Sequence, residues 1–186
     1  MNIPNIITLM RVALIPVFII LFYLPLSWSY WAASAVFAFA SLTDWLDGYL
    51  ARRLNQSTPF GAFLDPVADK LIVAVALVLL VAEHANLWLT LPAIIIICRE
   101  IMVSALREWM AELGERAQVA VSNIGKWKTA AQMVALIILL ANPPVFTHWV
   151  IGGYLLLIIS AGLTLWSMVQ YLLAAKPHLH TKNTKR

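Results

Sequence analysis

Four aspartates lie close together in a strongly apolar part of the chain: Asp44, Asp47, Asp65 and Asp69. A charged side chain at bilayer depth costs about 2.5–3.5 kcal/mol on insertion scales, so an acidic residue there is expected to have a functional partner. Oxygen ligands suit hard divalent cations, and neither the lone cysteine nor any histidine falls among these aspartates. We therefore predict that the four carboxylates bind Mg²⁺ or Mn²⁺.

The spacing of the aspartates indicates how they meet. On a helix, the first pair projects ~60° apart and the second pair ~40° apart, so each pair faces one way. Between the pairs, residues 55–59 read as a turn in which Thr58 caps the next helix and Pro59 is its first residue. Two antiparallel helices would then bring both pairs to one point. Two divalent ions would neutralise four carboxylates, and paired ions recur in phosphoryl chemistry.

Two neighbours of the first pair fit the same chemistry. Gly48 would let a nucleotide approach the backbone closely, and Arg52, one turn further on, could bind a phosphate oxygen. The structural alternative is that an isolated aspartate bonds two helices together and that Gly48 is a packing position. Four carboxylates with a glycine and an arginine favour a phosphoryl-transfer site instead.

The composition predicts a membrane protein. The 186 residues are 62% hydrophobic and 12% charged, and the mean hydropathy is +0.83, outside the range of ordinary soluble domains. We predict an all-α polytopic protein whose six transmembrane helices form one catalytic domain over residues 1–175, followed by a basic cytoplasmic tail over 176–186. The lone Cys98, inside an apolar run, is predicted to be a core residue. The predicted spans, each near the ~20 residues that cross a bilayer, cover 6–25, 29–53, 61–82, 86–108, 125–142 and 148–174.

The basic residues predict the orientation. All 13 of them fall at, or in helix halves leading to, the same side of the membrane. By the positive-inside rule, both termini and the aspartates are therefore cytoplasmic. Aromatic residues near the opposite ends are predicted to anchor the helices at the headgroups: Trp28, Tyr30, Trp31, Trp88 and Trp149.

From Asp44 to Asp69 the chain reads D-x-x-D-G-x-x-A-R-x8-G-x3-D-x3-D. This pattern resembles the signature of the CDP-alcohol phosphatidyltransferases at every fixed position. The resemblance implies a membrane enzyme, usually a homodimer, that moves a phosphatidyl group from CDP-diacylglycerol to an alcohol and releases CMP. It also implies that all four aspartates bind a pair of divalent ions and that Asp69 is the catalytic base.

The resemblance extends to the residues that would bind the donor. Near the N-terminus, Asn5, Thr8 and Arg11 are spaced i, i+3, i+6, and this segment is similar to bacterial members of the family. For Asn5 and Thr8 the alternative is ordinary helix capping at the membrane surface. The predicted residues for binding CDP-diacylglycerol are Asn5, Thr8, Asp44, Gly48, Arg52 and Thr58.

Cations on the fourth and fifth predicted helices could hold a phosphate on the acceptor. The alternative is that they snorkel to the membrane surface and only fix orientation. The G-K-x-K-T-x-x-Q segment at 125–132 is similar to bacterial members that accept glycerol 3-phosphate, which implies this acceptor and a bacterial inner membrane with the active site facing the cytoplasm. The predicted residues for binding the acceptor phosphate are Arg99, Arg107, Lys126 and Lys128.

Two further interpretations stay open at this point. The same chemistry could serve another acceptor, such as phosphatidylglycerol, inositol phosphate or serine. A cation-coupled transporter would also place carboxylates in a membrane, but such transporters show internal repeats and interrupted helices that this sequence lacks. We predict membrane lipids as partners of the chain and no nucleic acid.

Overall fold

The computed structural model describes the backbone of residues 3–54, 59–112 and 123–179, and the side chains of residues 5–43, 61, 64, 66–110 and 128–173. All regular structure in these residues is helical, which confirms the predicted all-α class. Each predicted helix is present, and the last one continues to Leu179, into the segment predicted as a tail. The helices are α1 (Ile3–Tyr23), α2 (Ser29–Leu54), α3 (Pro59–His84), α4 (Leu87–Glu112), α5 (Asn123–Ala141) and α6 (His148–Leu179).

Local sequence signals explain several helix ends. Pro59 begins α3, as predicted, because proline fits the first helical position. Asn86 caps α4, accepting a bond from the backbone N of Leu89 on its Oδ1 at 3.1 Å. Thr147 caps α6 in the same way through Val150, at 3.3 Å. Thr58 lies outside the described residues, so its capping role stays a prediction.

Consecutive helices run in opposite directions through a shared apolar core. The start of α2 meets the end of α3 where the Tyr30 hydroxyl donates to Glu83 Oε1 at 2.8 Å. It also meets the end of α5, where Ser34 Oγ donates to the carbonyl of Ile137 at 2.8 Å. All six helices contribute to one buried cluster, which includes Phe18, Phe37, Ile72, Leu77, Ile96, Leu136 and Leu157.

This alternation gathers the predicted site residues at one end of the bundle. Contacts there join α3 to α4 through Lys70 and Ser104, and α4 to α6 through Arg99 and Ser167. We call this the aspartate end, because the second half of α2 and the first half of α3 also lead to it. The end of α5 lies beside the start of α2, and consecutive helices run in opposite directions, so the first turns of α1 and α5 lie at the aspartate end.

The outer surface of the bundle is apolar. Large hydrophobic side chains are exposed on every helix, among them Ile20, Leu42, Val78, Ile101 and Val134. Three stretches are long and apolar enough to cross a membrane: Asn5–Tyr23, Leu87–Met110 and His148–Leu173. In the part of the chain that the structure describes, several helices therefore have the length and apolar surface of membrane-spanning helices.

The prediction for Cys98 is wrong. Its side chain is exposed on the same face of α4 as Ile94, Ile101 and Met102, which are also exposed. In a helix with an apolar outer surface, hydrophobic neighbours do not distinguish the core from the lipid-facing side.

At the end opposite the aspartates, polar side chains bond three helices together. The hydroxyl of Tyr154 on α6 lies 2.6 Å from His84 Nδ1 and accepts a bond from Asn86 Nδ2 at 2.8 Å. The predicted tryptophan anchors here have more than half of their surface exposed, at Trp28, Trp31, Trp88 and Trp149.

Close packing of α5 on α6 depends on one glycine. A Cβ atom on Gly153 would lie 2.8 Å from both Cγ and Cδ2 of Leu139, whereas a Cβ on Gly152 would meet nothing within 4 Å. We expect Gly153→Ala to destabilise the protein by about 1–3 kcal/mol through overpacking. Gly152→Ala, the matched control, should leave stability unchanged or raise it through helix propensity. Thermal unfolding in lipid nanodiscs measures both, and equal midpoints would contradict the packing argument.

Candidate active site

The backbone places all four signature aspartates at the aspartate end. Asp44 and Asp47 lie in the second half of α2, and Asp65 and Asp69 lie in the first half of α3, which packs against α2. Asp69 is half-buried. The other three carboxylates, the side chain of Arg52 and the surroundings of Gly48 lie outside what the structure describes, so the geometry of the metal site stays a prediction.

The residues present fit a divalent cation by the chemistry of their donors. Two antiparallel helices each carry a pair of carboxylates at the end where the helices are joined. Carboxylate oxygens are the ligands that Mg²⁺ and Mn²⁺ prefer, and aspartates at this depth of an apolar bundle need a cationic partner.

A second charged cluster joins α4 and α5 at the same end. Arg99 Nη1 donates to Glu100 Oε1 at 2.5 Å, and Lys128 Nζ lies 3.7 Å from the same oxygen. Arg99 is 7% exposed and Lys128 is 4% exposed. A snorkelling cation would extend its head into water, whereas these two side chains are buried in the bundle. Lys126 lies outside the described side chains.

Arg107 lies two turns beyond Arg99 on α4 and is exposed. Its Nη2 donates to the hydroxyl of Tyr171 at 3.0 Å, and its Cζ lies 5.2 Å from the centroid of the Tyr171 ring. Its guanidinium is thus held against α6 at the edge of the cluster.

α6 contributes two side chains to this cluster that were not predicted from the sequence. Ser167 accepts a bond from Arg99 Nη2 at 2.9 Å, and Tyr171 contacts both arginines. The signal was the spacing of polar residues along an apolar helix, because Ser160, Thr164 and Ser167 are all buried at helical intervals that Tyr171 continues.

Lys70 was also missed, although it directly follows Asp69. Its Nζ donates to Ser104 Oγ, and Ser104 Oγ donates to the carbonyl of Glu100 at 2.5 Å. This chain of bonds ties the helix segment that carries Asp69 to the segment that carries Arg99. The signal was a lysine next to the last signature aspartate in an otherwise apolar run.

Near the N-terminus, Thr8 and Arg11 are fully buried and Asn5 is 8% exposed. Their spacing puts all three on the inner face of α1, which packs against α2 and α3. Thr8 lies beyond the first turn of α1, so the capping alternative fails for this residue. On α5, Gln132 is buried one turn after Lys128.

The arrangement can bind an anion beside the aspartates. Arg99 and Lys128 share the single carboxylate of Glu100 in the ion pairs of this cluster. Arg99 Nε is buried and has no hydrogen-bond partner within the described part of the chain. Two cations on one carboxylate leave a net positive charge in this cluster, which favours an anionic ligand such as a phosphate, because a phosphate accepts several charge-assisted bonds.

Comparison with known proteins identifies the family. Residues 1–169 match the family described as CDP-alcohol phosphatidyltransferase. A Pseudomonas fluorescens protein is 73% identical over all 186 residues, which is 95% of its own length. Proteins from Shigella flexneri serotype 5b (strain 8401) and Escherichia coli (strain K12) are 59% and 58% identical over 178 residues, covering 96% of this chain and 97% of theirs.

All three relatives carry the name CDP-diacylglycerol--glycerol-3-phosphate 3-phosphatidyltransferase. The match to the family covers the aspartate signature and five complete helices of the bundle. The chain belongs to the CDP-alcohol phosphatidyltransferase family.

Proposed function

We propose that the protein transfers a phosphatidyl group from CDP-diacylglycerol to glycerol 3-phosphate, giving phosphatidylglycerophosphate and CMP. The observation that carries the choice of acceptor is the Arg99–Glu100–Lys128 cluster, whose two cations are buried and which lies at the same end of the bundle as the aspartates. A phosphate-bearing acceptor needs such cations. The names of the relatives support the same acceptor.

In the proposed reaction, the acceptor hydroxyl attacks the β-phosphorus of CDP-diacylglycerol. A new P–O bond forms, the bond to CMP breaks, and the proton of the hydroxyl passes to the Asp69 carboxylate. A base in this role must stay ionised within hydrogen-bond reach of the hydroxyl. The half-buried position of Asp69 leaves it accessible to a substrate.

The other residues bind and orient the two substrates. Arg52 and the backbone at Gly48 would hold the nucleotide, with Asn5, Thr8, Asp44 and Thr58 completing the donor site. Asp44, Asp47, Asp65 and Asp69 would hold two Mg²⁺ or Mn²⁺ ions. When bound, such ions stabilise negative charge on the phosphoryl oxygens and on the leaving CMP. Arg99, Arg107, Lys126 and Lys128 would hold the acceptor phosphate.

We further propose six membrane spans with both termini in the cytoplasm of a bacterium, and the active site facing the cytoplasm. Exposed hydrophobic side chains on all six helices support the spans. The distribution of Lys and Arg supports the orientation. Family membership supports a homodimer, and crosslinking in native membranes would test it.

The test of the proposed function is CMP release in lipid nanodiscs that contain CDP-diacylglycerol. Glycerol 3-phosphate is added or omitted, and Mg²⁺ is present or chelated. We expect release only when both glycerol 3-phosphate and Mg²⁺ are present. Release that needs the metal but ignores glycerol 3-phosphate would overturn the acceptor. A folded protein that releases no CMP in any condition would revive the transporter interpretation.

A further inference from the structure

The inner face of α6 carries polar side chains where an apolar helix would be expected. Ser160, Thr164 and Ser167 are each less than 5% exposed, and Tyr171 follows at the next helical interval. Polar groups buried in a bundle are unfavourable unless they are bonded. α6 packs along α4 and α5, so this face meets the two helices that carry the acceptor cations.

Ser167 holds the guanidinium of Arg99 from one side. Arg99 Nη2 donates to Ser167 Oγ at 2.9 Å, while Nη1 donates to Glu100 at 2.5 Å. Two bonds in different directions fix the plane of the guanidinium group. Its Nε is buried and has no hydrogen-bond partner among the described residues.

Tyr171 contacts both arginines of α4. Its ring centroid lies 5.9 Å from Arg99 Cζ and 5.2 Å from Arg107 Cζ, within the range of cation–π attraction. Its hydroxyl accepts the bond from Arg107. Tyr171 also packs against the fully buried Met110, so its position is fixed by α4 as well.

Holding these side chains in place affects binding of the acceptor. An arginine has many rotamers, and ordering them when a phosphate binds reduces affinity. A guanidinium that is already oriented avoids most of that loss. Tyr171 also helps to keep two like charges together on one helix face, because its ring and its hydroxyl offset part of their repulsion.

We infer that Ser167 and Tyr171 of α6 are positioning residues that orient Arg99 and Arg107 toward the phosphate of the acceptor. This inference rests on the proposed function, because it assumes a phosphate-bearing acceptor. It makes α6 a determinant of acceptor specificity, although α6 carries none of the residues of the aspartate signature.

The test measures steady-state kinetics of Ser167→Ala and Tyr171→Phe in nanodiscs. We expect each to raise the KM for glycerol 3-phosphate about 3–10-fold, less than the tenfold or more for losing a direct bond to a charged group, because each residue acts on the substrate only through an arginine. The kcat and the KM for CDP-diacylglycerol should stay within about twofold, since neither residue touches the donor or the reacting atoms. Ser167→Thr keeps the hydroxyl and should restore most of the affinity.

Matched controls come from the same helix. Ser160→Ala removes a buried hydroxyl that bonds the carbonyl of Leu157, and Tyr154→Phe removes a hydroxyl at the opposite end of the bundle. Neither should change the KM for glycerol 3-phosphate. A loss of stability without a role in positioning would affect both substrates and both sets of variants alike.

Two results would overturn the inference while leaving the proposed acceptor in place. In the first, CMP release by the wild-type protein depends on glycerol 3-phosphate, but Ser167→Ala and Tyr171→Phe both leave the KM for glycerol 3-phosphate unchanged. In the second, the two variants change only the KM for CDP-diacylglycerol. If the wild-type protein releases CMP without regard to glycerol 3-phosphate, the proposed acceptor is wrong, and the inference fails with it.

Discussion

Replacing Asp69 with asparagine is expected to reduce CMP release by about 10²–10⁴-fold, the contribution of a positioned general base. The amide has nearly the shape of the carboxylate but cannot accept the proton of the acceptor hydroxyl. It is also a weaker ligand for a divalent ion, which moves the expected loss toward the upper end of that range. The measurement is kcat in nanodiscs at saturating donor, acceptor and Mg²⁺.

The control for Asp69→Asn is Glu108→Gln, which makes the same chemical change on an exposed residue of α4. It should keep normal activity and a normal unfolding temperature. Asp69→Asn should also unfold at close to the wild-type temperature, because the half-buried carboxylate is replaced by a polar group of equal size. Activity above about a tenth of wild type in Asp69→Asn would contradict the assignment of Asp69 as the catalytic base.

The amino-acid sequence predicted the six helices because each apolar run is long and ends in residues that stop or cap a helix. Pro59 and Asn86 are examples, at the starts of α3 and α4. It could not predict which side of a helix faces the core, since both sides of α4 are apolar. The exposed Cys98 shows the consequence.

Some features of the candidate site could likewise be predicted from the sequence, and others could not. The charges of Arg99 and Lys128 and their common end of the bundle followed from hydropathy and from the distribution of basic residues. Their sharing of Glu100 did not, because it depends on how α4 and α5 are rotated against each other. Ser167, Tyr171 and Lys70 were missed for the same reason. The role of a hydroxyl or an amine on a long helix depends on which side chain of the neighbouring helix it bonds.

Variants of the buried cations should show whether the acceptor carries a charged phosphate or is neutral. We expect Arg99→Met to lower kcat/KM for glycerol 3-phosphate by about 10²-fold, and Lys128→Met by about 10–10²-fold, because hydrogen bonds to charged groups contribute about 1.5–3 kcal/mol. Arg99→Lys keeps the charge but loses the planar fork, so its loss should be intermediate.

Glycerol is the control substrate for these variants, because it offers the same hydroxyl without the phosphate. The wild-type protein should prefer glycerol 3-phosphate strongly, since a site built to bond a charged group rejects an analogue that leaves its polar groups unpaired. The variants should lose that preference while the KM for CDP-diacylglycerol stays unchanged. Equal losses with both acceptors would instead make the Arg99–Glu100–Lys128 cluster a structural ion-pair network. The two outcomes separate because only a phosphate site distinguishes the two acceptors.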